Sequence, residues 1–187
     1  ITHQDRRLLD IALEKGKSLI ICLNKVDLLK ETFNDAKKKK EWLADLKWQI
    51  PWLEFCQLIT ISALQRRNLN ALKTAVRETI AVRNRKITTG QLNKTLTTLI
   101  DSHSVVVRKT GGVRFRVKYA SMIKSAPPTF LLFTNKSQGI PDNYKKYLIN
   151  GLRKDFALAN TPVHLIFRTS SDLDRRMKKI QVKKGIS

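Results

Sequence analysis

An unbroken apolar run that stops at a cluster of polar residues constrains this chain more than any other feature. Leu19–Leu23 is apolar at every position, without the alternation of a strand that has one face in water. Such a run indicates a strand covered on both faces, as in the parallel sheet of an α/β domain. Ligands of these sheets lie outside the carboxyl ends of the strands. We therefore expect Asn24, Lys25 and Asp27 to lie at a ligand-binding edge.

These polar residues form the pattern N-K-x-D, which has the chemistry needed to read a guanine base. The Asp27 carboxylate can accept hydrogen bonds from the ring N–H and the exocyclic amino group of guanine, a donor pair that adenine does not present. The Asn24 amide can bridge the base and a neighbouring loop, and the Lys25 stem can lie over the base. The alternative is structural, because Asn or Asp after a strand commonly caps the next helix.

A second turn at a strand end strengthens the guanine interpretation. The apolar run Leu58–Ile61 is followed by Ser62, Ala63 and Leu64, the S-A-x turn that partners N-K-x-D in GTPases. The backbone N–H of Ala63 could donate to the guanine carbonyl oxygen, and only a small side chain permits that approach. Ser62 could instead cap a helix. Because both motifs follow strands in the expected order, we predict that the two turns form one guanine-binding site.

The phosphate-binding half of a GTPase is not found in this sequence. A GTPase holds phosphates with a G-x-x-x-x-G-K-[ST] loop that runs from a strand into a helix. Gly16-Lys17-Ser18 resembles the end of that loop, but Ile11 stands where its first glycine should, and the segment runs from a helix into a strand. We interpret it as a helix C-cap. We therefore expect no catalytic residues, no metal site and no tight binding of nucleotide to this chain alone.

The strong positive charge predicts a polyanionic partner. The 187 residues carry a formal net charge of +22, from 37 basic and 15 acidic side chains. Nucleic acid is favoured over membrane, because no basic amphipathic anchor, membrane-spanning segment or secretory signal is visible. Cys22 and Cys56 lie in apolar runs isolated from the histidines, which indicates reduced core thiols in a cytoplasmic protein rather than a zinc site.

The charge is unequally divided, which indicates two domains with different partners. Residues 1–84 carry 16 basic and 10 acidic side chains, or +6, whereas residues 85–187 carry 21 and 5, or +16. Helix and strand patterns alternate through the first domain, as in part of a doubly wound α/β fold. In the first domain, helices are predicted over Gln4–Lys15, over about Asp35–Trp48 and along a stripe of Leu69, Leu72, Val76, Ile80 and Val82. In the second domain, helices are predicted from Thr88 and over Ile140–Phe156. Thr129–Phe133 and Val163–Phe167 are predicted strands.

The segment Val113–Tyr119 alternates strictly between apolar and cationic residues. A single strand with this pattern turns its apolar residues to the core and Arg114, Arg116 and Lys118 outward. Three cations at every second position suit phosphates spaced along an RNA backbone, although an exposed sheet face that confers solubility is the plain alternative.

Further cations complete the predicted RNA-binding set. They are Lys145, Lys146, Arg153 and Lys154 on the last helix, and Arg175 and Arg176 beyond it. After Arg168 the chain has almost no core-forming residues, which predicts a flexible tail that orders on RNA.

Eight segments carry a resemblance to a known family. They are Ile1–Asp5, Asn24–Asp27, Ser62–Leu64, Asn84–Thr89, Lys118–Ala120, Pro127–Phe130, Tyr144–Leu148 and Thr161–Arg168. These segments resemble the tandem-GTPase ribosome-assembly family known as Der or EngA, in which two GTPase domains precede a C-terminal KH-like domain. The resemblance implies that residues 1–84 are the second half of the second GTPase domain, residues 85–168 the KH-like domain and residues 169–187 a basic tail. It also implies GTP or GDP with Mg²⁺ in the intact protein, and large-subunit assembly through ribosomal RNA.

Two features of the KH-like domain depart from the expected patterns, and a second interpretation of the whole chain also stays open. No G-x-x-G loop, which clamps a nucleotide backbone in KH domains, occurs here, so we expect a grip on RNA by shape and charge. Arg108–Gly112 also departs from the arginine-rich turn usual in the family. The alternative is a non-catalytic RNA-binding module whose α/β half serves only as a platform for protein docking.

Overall fold

Two compact units make up the structure. The computed structural model describes residues 2–29, 34–49, 55–107, 112–169 and 171. The first unit contains the described residues up to Arg85 together with Ala159–Pro162, and the second contains Lys86–Leu158 and those from Val163 on. The predictions on Arg108–Gly111 and on the tail residues Arg175 and Arg176 lie outside the described residues. No helix in the described ranges is long and apolar enough to cross a membrane.

The first unit has the predicted order of helix, strand, helix, strand, helix. Its elements are α1 (His3–Glu14), β1 (Ile20–Leu23), α2 (Ala36–Gln49), β2 (Gln57–Thr60) and α3 (Leu69–Arg83). The strands pair in parallel, with Ile20 opposite Gln57 and Leu23 opposite Thr60. Leu46 of α2 packs on one face of this sheet and Ala75 of α3 on the other. Residues of β1 thus contact a helix on each face of the sheet, but the strand is less completely covered than predicted, because Ile20, Ile21 and Leu23 are half-buried and Cys22 is exposed.

The segment Gly16-Lys17-Ser18 ends α1 and leads into β1, as predicted. Gly16 has a left-handed φ of +66°, which a residue without Cβ adopts freely. The N–H of Lys17 donates to the Ala12 carbonyl at 2.9 Å, closing the helix end. At the other end, Thr2 and Asp5 form a capping box.

The buried face of α3 differs from the predicted stripe. Leu69, Leu72 and Val82 of that stripe pack inward as predicted, but Val76 and Ile80 are 42% and 53% exposed. Ala75 and Thr79, which lie outside the predicted stripe, are buried instead. The apolar spacing fits either of two neighbouring stripes on this helix. Small side chains at 75 and 79 let the helix approach the sheet closely. The buried Thr79 hydroxyl gains a hydrogen-bond partner by donating to the Ala75 carbonyl at 2.7 Å.

The prediction that both cysteines are core thiols is wrong for one of them. Cys56 is buried, but Cys22 is exposed. The apolar cluster on the α3 side of the sheet centres on Ile59, Ile61 and Ala75, which leaves Cys22 of β1 uncovered.

Ala159–Pro162 fills a place in the first unit although it lies far along the chain. Asn160 is 1% exposed, with its backbone in the left-handed region at a φ of +60°. Its Oδ1 accepts the Gln57 N–H at 2.6 Å, and its Nδ2 donates to Thr79 Oγ1 at 2.8 Å. Its carbonyl accepts the Leu19 N–H at 2.8 Å. One buried side chain thus ties β2 to α3, and its backbone adds a bond beside β1.

The second unit is a small α+β assembly, which confirms the predicted fold class for the chain. Its elements are α4 (Thr89–Ser102), β3 (Val106–Val107), β4 (Val113–Arg114), β5 (Val117–Ser125), β6 (Pro128–Thr134), α5 (Asp142–Asp155) and β7 (His164–Arg168). Strands β5 and β6 pair antiparallel, β6 and β7 pair in parallel, and β3 and β4 form a separate antiparallel pair. Thr88 caps α4 in a capping box with Gln91, whereas the sequence alone allowed either Thr88 or Thr89 as the cap.

Both helices pack on the sheet around the fully buried Phe130 and Leu132 of β6. Helix α4 contributes Leu92 and Leu96, and α5 contributes Leu148 and Leu152. The two helices also approach each other closely. A Cβ placed on Gly151 of α5 would lie 2.5 Å from Cδ2 of Leu99. Any larger residue at this helix crossing would require the Leu99 side chain to shift.

The prediction of one continuous strand over Val113–Tyr119 is wrong. Pairing breaks at Phe115 and Arg116, between β4 and β5. Phe115 is fully buried, but Val113 and Tyr119 are 38% and 46% exposed, although alternation placed both in the core. The break arises because Phe115 anchors in an aromatic cluster, with its ring 5.6 Å from that of Tyr144 in an edge-to-face arrangement.

Candidate functional site

Parallel pairing of β1 and β2 brings the two predicted guanine turns side by side. Beyond the last strand pair, the Ile61 N–H donates to the Leu23 carbonyl at 2.8 Å. The Val26 N–H then donates to the Ile61 carbonyl at 3.3 Å. The chain therefore leaves both strands at the same edge of the sheet, where ligands of such sheets bind.

Asn24 links the two turns directly. Its Oδ1 accepts the Ala63 N–H at 3.0 Å and the Lys25 N–H at 2.8 Å. Lys25 has a left-handed φ of 64°, a conformation that costs energy for a residue with a Cβ and that clusters at functional sites. The Ala63 N–H thus donates to Asn24, so a base carbonyl that bound it would have to share or replace that hydrogen bond.

Neither Asn24 nor Ser62 caps a helix. The short 3₁₀ helix Val26–Leu28 starts at Lys25 and has no side-chain cap. Ser62 is fully buried, and its Oγ accepts the Gln65 N–H at 3.1 Å within its own turn. Ser62 lies seven residues before the start of α3 at Leu69. The helix-capping roles that the sequence left open for Asn24 and Ser62 are therefore not observed.

Asp27 holds an unsatisfied acceptor at this edge. Its side chain is half-buried, and Oδ1 is a buried atom with no hydrogen-bond partner among the described residues. A buried carboxylate oxygen without a donor is costly, and most such atoms are paired in folded proteins. A ligand that offers two adjacent N–H donors would remove that cost. Leu64, the last residue of the second turn, is 86% exposed and leaves an apolar side chain open to a ligand.

In the second unit, the three predicted cations of the broken strand line one cavity. Arg114, Arg116 and Lys118 are all exposed, and they share a cavity of about 530 Å³ with Tyr119. The opposite wall comes from α4, with Asn93, Thr97 and Asp101 among its residues. We call this space the cationic groove. The strand break does not scatter these cations but places them around one concave surface.

Two asparagines hold the walls of the cationic groove. Asn135 accepts the Arg116 N–H at 2.9 Å and donates from Nδ2 to the Arg114 carbonyl at 2.7 Å. Asn93 exchanges two hydrogen bonds of 2.8 Å with the backbone of Ala120, fixing α4 against β5. The sequence analysis missed both residues. Asn93 could have been noticed as a polar residue beside Leu92 on the buried stripe of α4, whereas no pattern marks Asn135.

The predicted cations of α5 do not line the cationic groove. Lys145 forms a salt bridge with Asp142 at 2.8 Å, and Arg153 donates to Asn150 Oδ1 at 3.5 Å. Lys146 and Lys154 are exposed on the same helix. No cluster of three His, Cys, Asp or Glu side chains suited to a metal ion occurs in the described part of the chain.

Comparison with known proteins identifies the family to which the second unit is similar. Residues 86–168 match the family model described as "KH-domain-like of EngA bacterial GTPase enzymes, C-terminal". This match confirms the KH-like fold predicted from the resemblance.

Curated relatives match across most of the chain. The GTPase Der of Dinoroseobacter shibae is 34% identical over 170 residues, covering 91% of this chain and 34% of the relative. That of Jannaschia sp. is 31% identical over 196 residues, covering 97% and 40%. That of Rickettsia africae is 32% identical over 167 residues, covering 89% and 37%. This chain therefore spans between a third and two-fifths of the length of these relatives. The chain belongs to the Der/EngA family and corresponds to its C-terminal part.

Proposed function

We propose that the first unit selects guanine within a GTP-binding protein. Asn24, Lys25 and Asp27 form one side of the base site, and the turn Ser62–Leu64 forms the other. The observation that carries the proposal is the buried, unpartnered Oδ1 of Asp27, beside two turns that Asn24 joins. The ring N–H and amino group of guanine supply the donors that this carboxylate lacks.

The intact protein would hold GTP or GDP together with Mg²⁺. The relatives named GTPase Der support this proposal, but the sequence offers no phosphate-binding loop. Mg²⁺ would neutralise charge on the phosphates in the intact protein. The residues described here would contribute recognition of the base, and grip on the phosphates would come from outside these 187 residues. Binding of nucleotide to this chain alone is therefore expected to be weak.

For the second unit, we propose binding to ribosomal RNA during assembly of the large ribosomal subunit in the cytoplasm. Support comes from the KH-like fold, from the formal charge of +16 on residues 85–187, and from three exposed cations around one groove. The side chains of Arg114, Arg116 and Lys118 form no hydrogen bond or ion pair with the described residues, so their cationic groups are available for phosphates. The cations of α5, together with Arg175 and Arg176, would extend this contact.

Nuclear magnetic resonance titration tests the guanine proposal on the chain itself. Millimolar guanosine monophosphate should shift the amide signals of Lys25 and Ala63, and adenosine monophosphate should not. In Asp27→Asn the preference should move to xanthosine monophosphate, because an amide N–H can donate to the carbonyl that replaces the guanine amino group. Asp10→Asn, which changes an exposed aspartate on α1, serves as the matched control. Equal shifts with adenosine and guanosine monophosphate would show that the two turns do not read guanine.

Salt-dependent binding to large-subunit RNA tests the second proposal. Replacing Arg114, Arg116 and Lys118 together by Gln should weaken binding and reduce the slope of log K against log salt by roughly 2 to 3. Replacing the exposed Lys37, Lys38 and Lys40 of α2 by Gln removes the same charge elsewhere and is the control. If the two triple variants bind RNA equally, the cationic groove is not an RNA contact. If neither the chain nor its variants bind RNA, the second unit has another partner.

A further inference from the structure

We propose that the face of the sheet β5–β6–β7 that points away from the helices binds single-stranded RNA, with a base stacked on Tyr119 and Phe133. We call this surface the open face and define it by the side chains of Tyr119, Lys124, Leu131, Phe133, Ile166 and Arg168. The inference rests on the proposed binding of RNA, and it adds a second contact surface and a preference for unpaired nucleotides. Its basis is the strand register, which gathers apolar and cationic side chains on one side of the sheet.

The register shows which side chains lie on the open face. Ala120 pairs with Leu132, which is fully buried under the helices. Because side chains alternate along a strand, the next residue, Phe133, points to the opposite face together with its partner Tyr119. The pairing of β6 with β7 then places Arg168 beside Phe133 on the same face.

The two aromatic rings form a stacking surface. The ring centroids of Tyr119 and Phe133 lie 6.2 Å apart, with 34° between the ring planes. Tyr119 is 46% exposed and Phe133 is half-buried, so each ring keeps part of its surface in solvent. Aromatic rings on a sheet face are the surface on which a common class of RNA-binding module stacks the bases of single strands.

Apolar side chains continue the open face beside the rings. Leu131 and Ile166 pair across β6 and β7, and both are half-buried. They lie two residues along the strands from the aromatic pair, about 7 Å away at the rise of a β-strand. They therefore offer a second apolar contact for the base or sugar of the neighbouring nucleotide.

The charges at the rim of the open face favour a polyanion. Lys124 and Arg168 lie toward opposite ends of the sheet, beside Thr129 and Phe133 respectively. Both are exposed, and their side chains form no hydrogen bond or ion pair with the described residues. No acidic residue occurs in the sequences of the three strands. A single strand, with phosphates outside and bases inside, complements this arrangement, whereas an apolar protein surface would leave the cations unpaired.

Unpaired nucleotides fit the open face better than a duplex does. Stacking on a ring requires an exposed base, and the bases of a duplex are covered by their neighbours. The cationic groove and the open face meet at β5, because Lys118 lines the groove and directly precedes Tyr119. One RNA chain could therefore contact the groove through its phosphates and the open face through its unpaired bases.

Fluorescence anisotropy tests the stacking. Labelled eight-nucleotide oligo(U) and an RNA duplex of the same length would be added to the full chain at about 200 mM salt, where sequence-independent binding is weakened. Tyr119→Ala should weaken binding of oligo(U) about tenfold and leave duplex binding within about twofold, whereas Tyr119→Phe should bind like the parent. Trp48→Ala removes an 87% exposed ring from α2 and is the control, which should bind both RNAs like the parent.

A signal from the ring itself separates contact from a structural role. In fluorotyrosine-labelled protein, oligo(U) should shift the ¹⁹F signal of Tyr119 and leave that of Tyr144, which is 2% exposed, unchanged. The Tyr119 signal is assigned by its loss in Tyr119→Phe. A Tyr119 signal that stays in place at saturating oligo(U) would overturn the stacking.

Salt dependence tests the rim cations. Replacing Lys124 and Arg168 together by Gln should reduce the slope of log K against log salt for oligo(U) by about 1.4, or about 0.7 for each phosphate contact on a single strand. Replacing Lys37 and Lys40 by Gln removes the same charge from α2 and is the control. Equal slopes in the two double variants would show that phosphates do not reach the open face.

The outcomes separate this inference from the proposal beneath it. If Tyr119→Ala binds oligo(U) as the parent does, while the triple Gln variant of Arg114, Arg116 and Lys118 binds RNA weakly, RNA uses the groove and the inference fails alone. If only Tyr119→Ala binds weakly, the open face is the RNA site and the groove is not. If the chain binds no RNA but forms dimers that Tyr119→Ala abolishes in sedimentation experiments, the open face joins two copies and the inference is wrong.

Discussion

The Oδ1 atom of Asn24 lies 3.0 Å from the backbone nitrogen of Ala63 and accepts its hydrogen bond across 39 positions of sequence. This bond joins the turns that follow β1 and β2, and the same oxygen also accepts the Lys25 N–H. One side chain therefore sets the distance between the two turns proposed to hold guanine, before any nucleotide is bound.

Removing that side chain should loosen the second turn without unfolding the unit. Asn24→Ala leaves the Ala63 N–H without its acceptor, so its amide should exchange with solvent faster, and the first unit should lose about 1 kcal/mol of stability. Hydrogen exchange followed by nuclear magnetic resonance measures the first effect. Asn70→Ala, at an exposed position of α3, is the control and should leave exchange at Ala63 unchanged. Unchanged exchange in Asn24→Ala would mean that the bond is not formed in solution.

Asn160 should be among the most sensitive positions of the first unit. Asn160→Ala removes the acceptor of the Gln57 N–H and the donor to Thr79 Oγ1, and we expect a loss of about 2–4 kcal/mol. Asn160→Gly should cost less than Asn160→Ala, because glycine relieves the left-handed backbone while losing the same bonds. All three tryptophans lie at positions 42, 48 and 52, so denaturation followed by tryptophan fluorescence reports on this unit alone. A loss below about 0.5 kcal/mol would show that these bonds contribute little.

Two glycines of the second unit should respond in opposite directions to the same substitution. Gly151→Ala places a methyl group 2.5 Å from Leu99 Cδ2 and should destabilise the unit by about 1–3 kcal/mol. Gly90→Ala meets no atom within 4 Å and should stabilise α4 by about 0.5–1 kcal/mol. All three tyrosines, at positions 119, 144 and 147, lie in this unit, so ¹⁹F spectra of fluorotyrosine-labelled protein follow its unfolding selectively. Equal stability of the two variants would mean that the helices do not cross as closely as described.

Tyr144 should make the second unit sensitive to alkali. Burial raises the pKa of Tyr144 to about 12, with a further contribution from Tyr147 and an opposing one from Arg114. Because the pKa of Tyr144 in the folded protein lies above the ordinary tyrosine pKa of 10.0, the folded state keeps its full stability below pH 10 and loses stability as the pH rises toward 12. Urea denaturation between pH 8 and pH 12, followed by circular dichroism, should show this decline.

Tyr144→Phe should remove the alkaline decline and leave stability at pH 7 unchanged or higher. The Tyr144 hydroxyl is buried without a hydrogen-bond partner among the described residues, so its loss carries no penalty. Tyr147→Phe is the comparison, because the Tyr147 hydroxyl donates to the Leu99 carbonyl at 2.8 Å and its loss should cost about 1 kcal/mol. An alkaline decline that persists in Tyr144→Phe would place its origin in another group.

The elements that the sequence predicted well are those with one dominant local signal. The unbroken run Leu19–Leu23 contains β1, and Thr88 caps α4. The order of elements in the first unit follows from alternating patterns of this kind. The location of the polar turns also follows, because parallel strands end at the same edge of a sheet. The roles of those turns toward guanine stay predictions until a nucleotide is tested.

The errors arose where two local signals were equally good or where packing overrode them. The spacing on α3 allowed two stripes, and small residues at 75 and 79 decided between them through close approach to the sheet. The alternating segment Val113–Tyr119 does not form one strand, because the Phe115 ring packs into an aromatic cluster. The sequence could not assign roles to Asn93 and Asn135, because each binds the backbone of a segment far away along the chain. The same holds for Asp101, which lines a cavity together with residues that are distant in sequence.

The placement of Ala159–Pro162 has a practical consequence for dissecting this protein. A single cut at Arg85 does not give two complete fragments, because the N-terminal piece would lack the residue that occupies the space between Gln57 and Thr79. Adding a peptide that spans residues 159–162 to that piece should restore part of its stability, as complementation does between fragments of one folded body. Experiments that assign an activity to either half must therefore account for these four residues.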